Sequence, residues 1–256
     1  MAHGIITGRH RYGRNSVLIE TDPAGYELWD LTSDRPGGRW WVPSGRIDEI
    51  AAVLAEQDQN FYGDAQTGVR SGDIVIDCGA HFGGFAKPSA LDRGANLVVA
   101  MEVVGPTLEC LRRNCAGAIA DGRLVICGKA AWSSVRTLEL IQGKHCPAVQ
   151  VGLTNKDRNI PGRMLGQVQA TTIDQMVEDL GLPGVDFIKM DIEGAEQHAL
   201  LGAARTLRRY QPRLGLAAYH RRDDHAVLSA TILAANPAYT VLPRLSGCAL
   251  VAFVAE

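Results

Sequence analysis

The sequence predicts an α/β protein. Its core is a doubly wound, mostly parallel sheet with an antiparallel last strand, and a hairpin and helix precede it as an N-terminal cap. Three observations carry this expectation. From residue 71 onward, runs of strand length alternate with helical patterns, the order that builds a parallel sheet from βα units. Those runs are apolar almost throughout, as strands covered on both faces are. Acids and a tyrosine (Asp77, Glu102, Asp191 and Tyr219) recur at the run ends, and ligands bind outside strand C-termini in such sheets.

The elements follow in order. "SVLIE" (16–20) and "YELWDL" (26–31) read as strands around the turn "TDPAG", a hairpin signature. "SGRIDEIAAVLAEQ" (44–57) places Ile47, Ile50, Ala51 and Leu54 on one face of a helix with Ser44 as its cap candidate. Residues 1–70 are therefore expected to form a cap or lid on the domain 71–256. That domain opens with strand "DIVIDC" (73–78), and Pro88 starts the next helix near Phe85, since proline is tolerated only in a first turn. Strand "NLVVAME" (96–102), helix "GPTLECLRRNCA" (105–116) and strand "RLVICGKAA" (123–131) follow. A stretch rich in β-formers, roughly 132–170, interrupts the alternation. It resumes with helix 172–181, strand "VDFIKMDI" (185–192), helix "AEQHALLGAARTLRRY" (195–210) and strand "RLGLAAY" (213–219). A helix at 224–235 and two strands, 238–243 and 248–254, joined by "PRLSG", close the chain.

Composition excludes several classes. With 46% hydrophobic and 21% charged residues, the 256-residue chain is an ordinary globular protein with apolar mass for a core. Its net charge of −2 gives no electrostatic case for nucleic acid or an acidic membrane. The arginines of "GRHRYGR" (8–14) read as a solvated loop. The six cysteines form no CxxC pair, so neither a metal nor a disulfide framework is expected. No leader-like or spanning apolar segment is evident, so a reduced, cytoplasmic protein is expected.

The stretch "VIDCGAHFGG" (75–84) carries the first chemical signal. A dinucleotide turn needs G-x-G-x-x-G, whose middle glycine lets a pyrophosphate approach the backbone. Here the middle position is His81, and no GK[ST] follows for a phosphate loop. The stretch fits D-x-G-x-x-x-G instead, with Asp77, Gly79 and Gly83. Such a turn suits a ligand without phosphate that carries a cationic group. Glu102, ending the next strand, can accept hydrogen bonds from two ribose hydroxyls. A nucleoside with a positively charged tail describes S-adenosylmethionine.

A second motif is more specific. "DFIKMDIEGAEQHALLGA" (186–203), with "VIDCGAHFGGFA" upstream, Thr171–Asp174 between them and "PRLGLAAYH" (212–220) downstream, resembles the FkbM family of S-adenosylmethionine-dependent methyltransferases. The resemblance spans roughly residues 71–220. It implies a class I methyltransferase fold, a Rossmann-like seven-stranded sheet whose last strand runs antiparallel. It further implies O-methylation of a hydroxyl on a natural product, sugar or glycolipid. Carried over by position, Asp77, Gly79, Ala80 and Gly83 match the family's cofactor loop, with His81 and Val103 beside the cofactor. Glu102 matches the ribose-binding acid, and Asp191, Glu193, Gly194 and Glu196 match the strand-end signature. Lys87 and Pro88 depart from the pattern.

Methyl transfer to a hydroxyl needs near-attack geometry and a base or a metal for the acceptor's proton. The candidates are Asp191 as the first choice, His220 as a base titrating near neutrality, and Lys189 to orient the acceptor. Against these stand plainer roles: helix capping for Asp191 and Glu193, surface pairing for His220, and structure for His198 and His145. Asp191 and Glu193, with Asp223 and Asp224 nearby, offer hard oxygen ligands for Mg2+. Tyr62, Trp40, Trp41 and Phe61 either close over an acceptor or simply pack. The alternatives are an NAD(P)-dependent oxidoreductase on a related fold, an N-methyltransferase, and a binding protein without turnover. The expected partner is a small-molecule acceptor, neither nucleic acid nor membrane, with a homodimer as the default assembly.

Overall fold

The computed structural model of the chain describes residues 16–31, 38–143, 149–152 and 162–255. The arginine cluster at 8–14, His145 and Cys146 lie outside the described residues. Strands β1 (Val17–Thr21), β2 (Tyr26–Asp30) and β3 (Arg39–Pro43) form an antiparallel sheet. Its first two strands are the expected hairpin. The third adds "RWWVP", whose alternating burial only pairing with β2 explains. Helix α1 (Ile47–Asp58) buries Ile50, Ala51 and Leu54 as its spacing predicts. Ser44 is not its cap. Arg46 precedes the first turn without a side-chain cap bond, and the Ser44 hydroxyl donates to Glu27 Oε1 at 2.5 Å.

Strand β4 (Ile74–Cys78) is followed by a π-helical stretch, Ala86–Leu91, entered from Phe85. Pro88 falls in its first turn, where a missing N–H costs least. Then come β5 (Leu97–Met101), α2 (Gly105–Asn114) and a short α3 (Ala116–Ala120) that the sequence reading did not separate. The run 123–131 divides into β6 (Leu124–Cys127) and β7 (Ala130–Ala131), which join different sheets. The interruption at 132–170 is itself a sheet: β8 (Arg136–Gly143), β9 (Val149–Gly152) and β10 (Gly162–Thr171) pair antiparallel, and β7 joins β10 in parallel.

Helix α4 (Ile173–Asp179) is capped by the Thr172 hydroxyl, which accepts from Gln175 N at 2.9 Å. After β11 (Phe187–Met190), the single helix expected at 195–210 is two, α5 (Glu196–Leu201) and α6 (Ala204–Arg209). Asp174 decides the break. Its carboxylate accepts from the Arg205 and Thr206 amides at 2.9 and 2.8 Å, a cap supplied from another helix. Strand β12 (Arg213–Ala217), helix α7 (Asp224–Ala235) and strands β13 (Tyr239–Arg244) and β14 (Ala249–Val254) complete the chain.

The main sheet has the order β13-β14-β12-β11-β4-β5-β6, and only β14 runs against its neighbours. This is the expected doubly wound sheet with an antiparallel last strand. Alternate residues face opposite helical layers: Ile76, Ile188 and Leu214 pack in the layer of α4 to α7, while Val75, Val98 and Phe187 pack with Phe85 and Leu111. The connections reverse direction between β4 and β11, so the strand C-termini there open a crevice.

The N-terminal sheet is fastened to that framework. Asn114 of α2 accepts from Trp41 N at 2.6 Å and donates to the carbonyls of Trp41 and Phe82 at 3.0 and 2.9 Å. Arg113 pairs with Asp22 and lies over the rings of Tyr26 and Trp41. Trp40, 1% exposed, packs with Ile50, Phe82 and Cys110.

Candidate active site

At the β4–β11 crevice lies a cavity of about 320 Å³. The turn after β4 forms one wall. Gly79 has φ +77°, and a Cβ there would stand 2.0 Å from the Asp191 carbonyl, so only glycine lets the two crossover loops meet. Gly79, Ala80 and His81 line the cavity. Glu102, directly after β5, holds this turn: Oε2 accepts from His81 N at 3.0 Å, and Oε1 accepts from the Val103 and Val104 amides at 2.7 and 2.8 Å. Glu102 and Val103 line the cavity too.

Asp77 and Gly83 stand behind this wall. Asp77 is fully buried, with Lys189 Nζ 3.1 Å from its Oδ1. The same ammonium donates to the Gly79 carbonyl at 2.7 Å. Burial alone would lower the Lys189 pKa, but Asp77 and Asp191 hold it above its usual value, while burial pushes the Asp77 carboxyl up. A cation tied down in this way positions the turn, and it also lines the cavity. Gly83 packs against Cys115 and Leu111.

The opposite wall begins where β11 ends. Asp191 Oδ2 accepts from the Tyr62 hydroxyl at 2.6 Å, and Oδ1 lies 3.4 Å from His220 Nε2. Glu193, with φ +56°, directs Oε2 to 3.5 Å from the same nitrogen. His220 Nδ1 lies 3.0 Å from Glu196 Oε1, which also accepts from Ile192 N at 2.9 Å. Neither ring nitrogen has the alignment of a hydrogen bond among the described residues. Burial pulls the His220 pKa down, but Glu196, Asp191 and Glu193 outweigh it and hold it at about 9. Its resting form at neutral pH is therefore the imidazolium, unlike the near-neutral base expected. Burial pushes Glu193 up to about 7.

Helix α1 supplies the third wall, which the sequence reading missed. Glu49, Ala52, Val53 and Glu56 line the cavity. They are spaced i, i+3, i+4 and i+7, one face of a helix, beside the apolar face that was recognised. Glu49 Oε2 lies 3.2 Å from His81 Nε2. Burial, reinforced by Asp191, pushes Glu56 up to about 8. Among the four aromatics, Tyr62 and Phe61 approach the site: Phe61 packs edge-on to Tyr62 and Tyr219. Trp40 and Trp41 serve the N-terminal core.

Other expectations fare differently. Asp224 is buried and accepts from the Arg221 amide at 2.8 Å, while Asp223 precedes α7, so neither faces the cavity. His198 stacks on Trp132 at 3.9 Å, the structural role expected.

A nucleotide-sized crevice at the switch point, with a glycine turn and a strand-end acid, defines a cofactor-dependent α/β enzyme. The chain matches the Methyltransferase FkbM domain over residues 77–234, more than half its length, and belongs to that family. Membership of a methyltransferase family replaces the oxidoreductase alternative. Among solved structures it is similar to methyltransferase FkbM from Methylobacillus flagellatus KT, at 19% identity and a TM-score of 0.52 over 83% of this chain and 56% of that one. The chain thus spans little more than half of that relative's length. Precorrin-6y C5,15-methyltransferase from Geobacter metallireducens GS-15 is similar at 12% identity and TM-score 0.43, over 82% of this chain and 89% of that one. Aeropyrum pernix fibrillarin, with natively bound S-adenosyl-L-methionine, is similar at 11% identity and TM-score 0.43, over 94% and 99%. No curated protein matches the chain significantly.

Proposed function

We propose that the chain transfers a methyl group from S-adenosylmethionine to a hydroxyl of a small natural product or sugar. One observation carries this reading: a single cavity joins the Gly79–His81 turn and Glu102 to the carboxylates of Asp191 and Glu193. The cofactor fits the wall, because the Gly79–His81 turn lines the cavity and Glu102 beside it stands at the ribose-binding position the family implies. The cofactor supplies an electrophilic methyl on a sulfonium, a cation suited to a cavity that Asp191 and Glu102 line.

The chain's own residues then have distinct tasks. Glu102 and Lys189 fix the turn from its two sides. The walls hold the acceptor oxygen in line with the methyl carbon, where orientation supplies most of the acceleration. With the cofactor bound, the Gly79–His81 turn and Glu102 would hold it, its sulfonium would supply the methyl group, and a carboxylate of the Asp191–Glu193 wall would take the acceptor's proton. His220 lies behind that wall, its Nε2 3.4 Å from Asp191 Oδ1. The chain thus acts on a small molecule and not on nucleic acid or an acidic membrane, a reading supported by its −2 charge. Among the described residues no helix is long and apolar enough to cross a membrane.

Isothermal titration with S-adenosylhomocysteine, run in parallel with NAD, tests the cofactor. Micromolar binding of S-adenosylhomocysteine alone is expected, and binding of NAD alone would refute the reading.

A further inference from the structure

We propose that Glu56 of α1 is a specificity-determining residue of the methyl transfer. Its carboxyl hydrogen-bonds a second polar group of the acceptor and so decides which acceptors present a hydroxyl to the Asp191–Glu193 wall. The inference rests on the methyl-transfer reading and deepens it by naming what the acceptor carries: the hydroxyl that is methylated and a further neutral group able to donate and accept a hydrogen bond.

Helix α1 measures out the cavity. Glu49 and Glu56 both line it, and two turns of helix set them about 10 Å apart along the axis. Glu49 marks the cofactor end, with Oε2 3.2 Å from His81 Nε2 in the turn after β4. Glu56 marks the other end, where Asp191, Lys189, His220 and Glu193 are the charges that act on it. Burial first, then Asp191 and Glu56, raises the hydroxyl pKa of both Tyr62 and Tyr219, so the carboxyl stands near these rings. The chain turns directly after the helix, where Phe61 N donates to the Glu56 carbonyl at 3.2 Å, and this turn brings Tyr62 to Asp191. Between the two acids, Ala52 and Val53 offer the cavity apolar side chains.

The other acids of the cavity are engaged. Glu102 accepts from three main-chain amides, and Asp191 accepts from the Tyr62 hydroxyl. Glu193 lies beside His220, and Arg46 holds both oxygens of Glu49 at 2.6 Å. The Lys189 ammonium is given to Asp77 and the Gly79 carbonyl. Glu56 is half-buried, yet among the described residues no group hydrogen-bonds or ion-pairs with its carboxyl. Polar groups withdrawn from water are otherwise paired. A free carboxyl on a cavity wall therefore marks where a polar group of the ligand completes the pairing.

The form of the carboxyl fits a neutral partner. Burial, reinforced by Asp191, pushes it up to about 8. Near neutrality it keeps its proton, donates through its O–H and accepts through its other oxygen. A hydroxyl has the same two capacities. An acceptor with an apolar substituent there packs on Val53 but leaves Glu56 unpaired, and a site built to hydrogen-bond one group rejects the analogue that lacks it for this reason.

Calorimetric titration of the chain loaded with S-adenosylhomocysteine tests the assignment, with cyclohexanol and the isomeric cyclohexanediols as probes that differ by the second hydroxyl. At least one diol should bind about tenfold more tightly than cyclohexanol, the yield of one net hydrogen bond. Glu56→Ala should erase that preference. Glu56→Gln, whose amide still donates and accepts, should retain part of it. Both variants should bind S-adenosylhomocysteine as the wild type does, which shows that they fold. A diol preference unchanged in Glu56→Ala would overturn the assignment, as would a wild type that binds no diol more tightly than cyclohexanol. S-adenosylhomocysteine titrated first keeps the two proposals apart. Its failure to bind refutes the cofactor, whereas its normal binding without a diol preference that depends on Glu56 refutes the role of Glu56 alone.

Discussion

The Tyr62 hydroxyl donates a 2.6 Å hydrogen bond to Asp191 Oδ2, joining the segment after α1 to the end of β11 across 129 residues of sequence. Tyr62 is 4% exposed, and its backbone crosses Gly215 so closely that a Cβ there would meet the Tyr62 carbonyl at 2.4 Å. The N-terminal segment thus helps to build the acidic wall. A hydrogen bond to a charged group contributes about 1.5–3 kcal/mol. Tyr62→Phe should lose that much in urea unfolding and should reduce methyl transfer. Unchanged stability would mean that the bond does not form in solution.

Glu102 gathers three main-chain amides, two after β5 and one in the turn after β4. Removing it leaves those donors without their acceptor and releases the turn. Glu102→Ala should abolish S-adenosylhomocysteine binding in calorimetry, and micromolar binding by the variant would contradict its role.

Asp77 and Lys189 form a buried pair, 0% and 5% exposed. Removing one partner of such a pair costs about 3–5 kcal/mol, because a buried charge is left alone. Lys189→Met should therefore destabilise strongly, and adding Asp77→Asn should restore part of the loss. Additive losses in the double variant would show that the two are not coupled.

Glu56 has its pKa raised from 4.5 to about 8, by burial first and Asp191 second. An acid raised in this way binds more protons folded than unfolded, so its contribution to stability falls as pH rises from about 4.5 to about 8 and is flat above. Glu56→Gln should raise the unfolding midpoint at pH 8.5 in EDTA and change it little at pH 5. Each kcal/mol recovered moves the midpoint by about 2–4 °C in a chain this size. An equal effect at both pH values would remove Glu56 from a desolvated site.

Asp191→Asn should leave S-adenosylhomocysteine binding intact and suppress turnover. The acid lines the cavity, and the proposed mechanism gives it the acceptor's proton. Unchanged turnover would sink that role.

The sequence by itself determined the sheet. Apolar runs such as 73–78 and 96–102 carry their strand character locally, and the glycine turn and the "DIEGAE" signature are contiguous in the chain. It also marked Asp77, Glu102 and Asp191 as strand-end acids, because a strand's end is a local event. Only the tertiary structure decided how they are used. Packing against Lys189 turned Asp77 away from the cavity, and three carboxylates closing around His220 made an expected neutral base a cation. The break between α5 and α6 came from Asp174, some thirty residues upstream. The third wall, with Glu49 and Glu56, exists only because α1 packs over the β4–β11 crevice. These features depend on distances between residues remote in sequence, and burial and charge act through those distances, which no local pattern encodes.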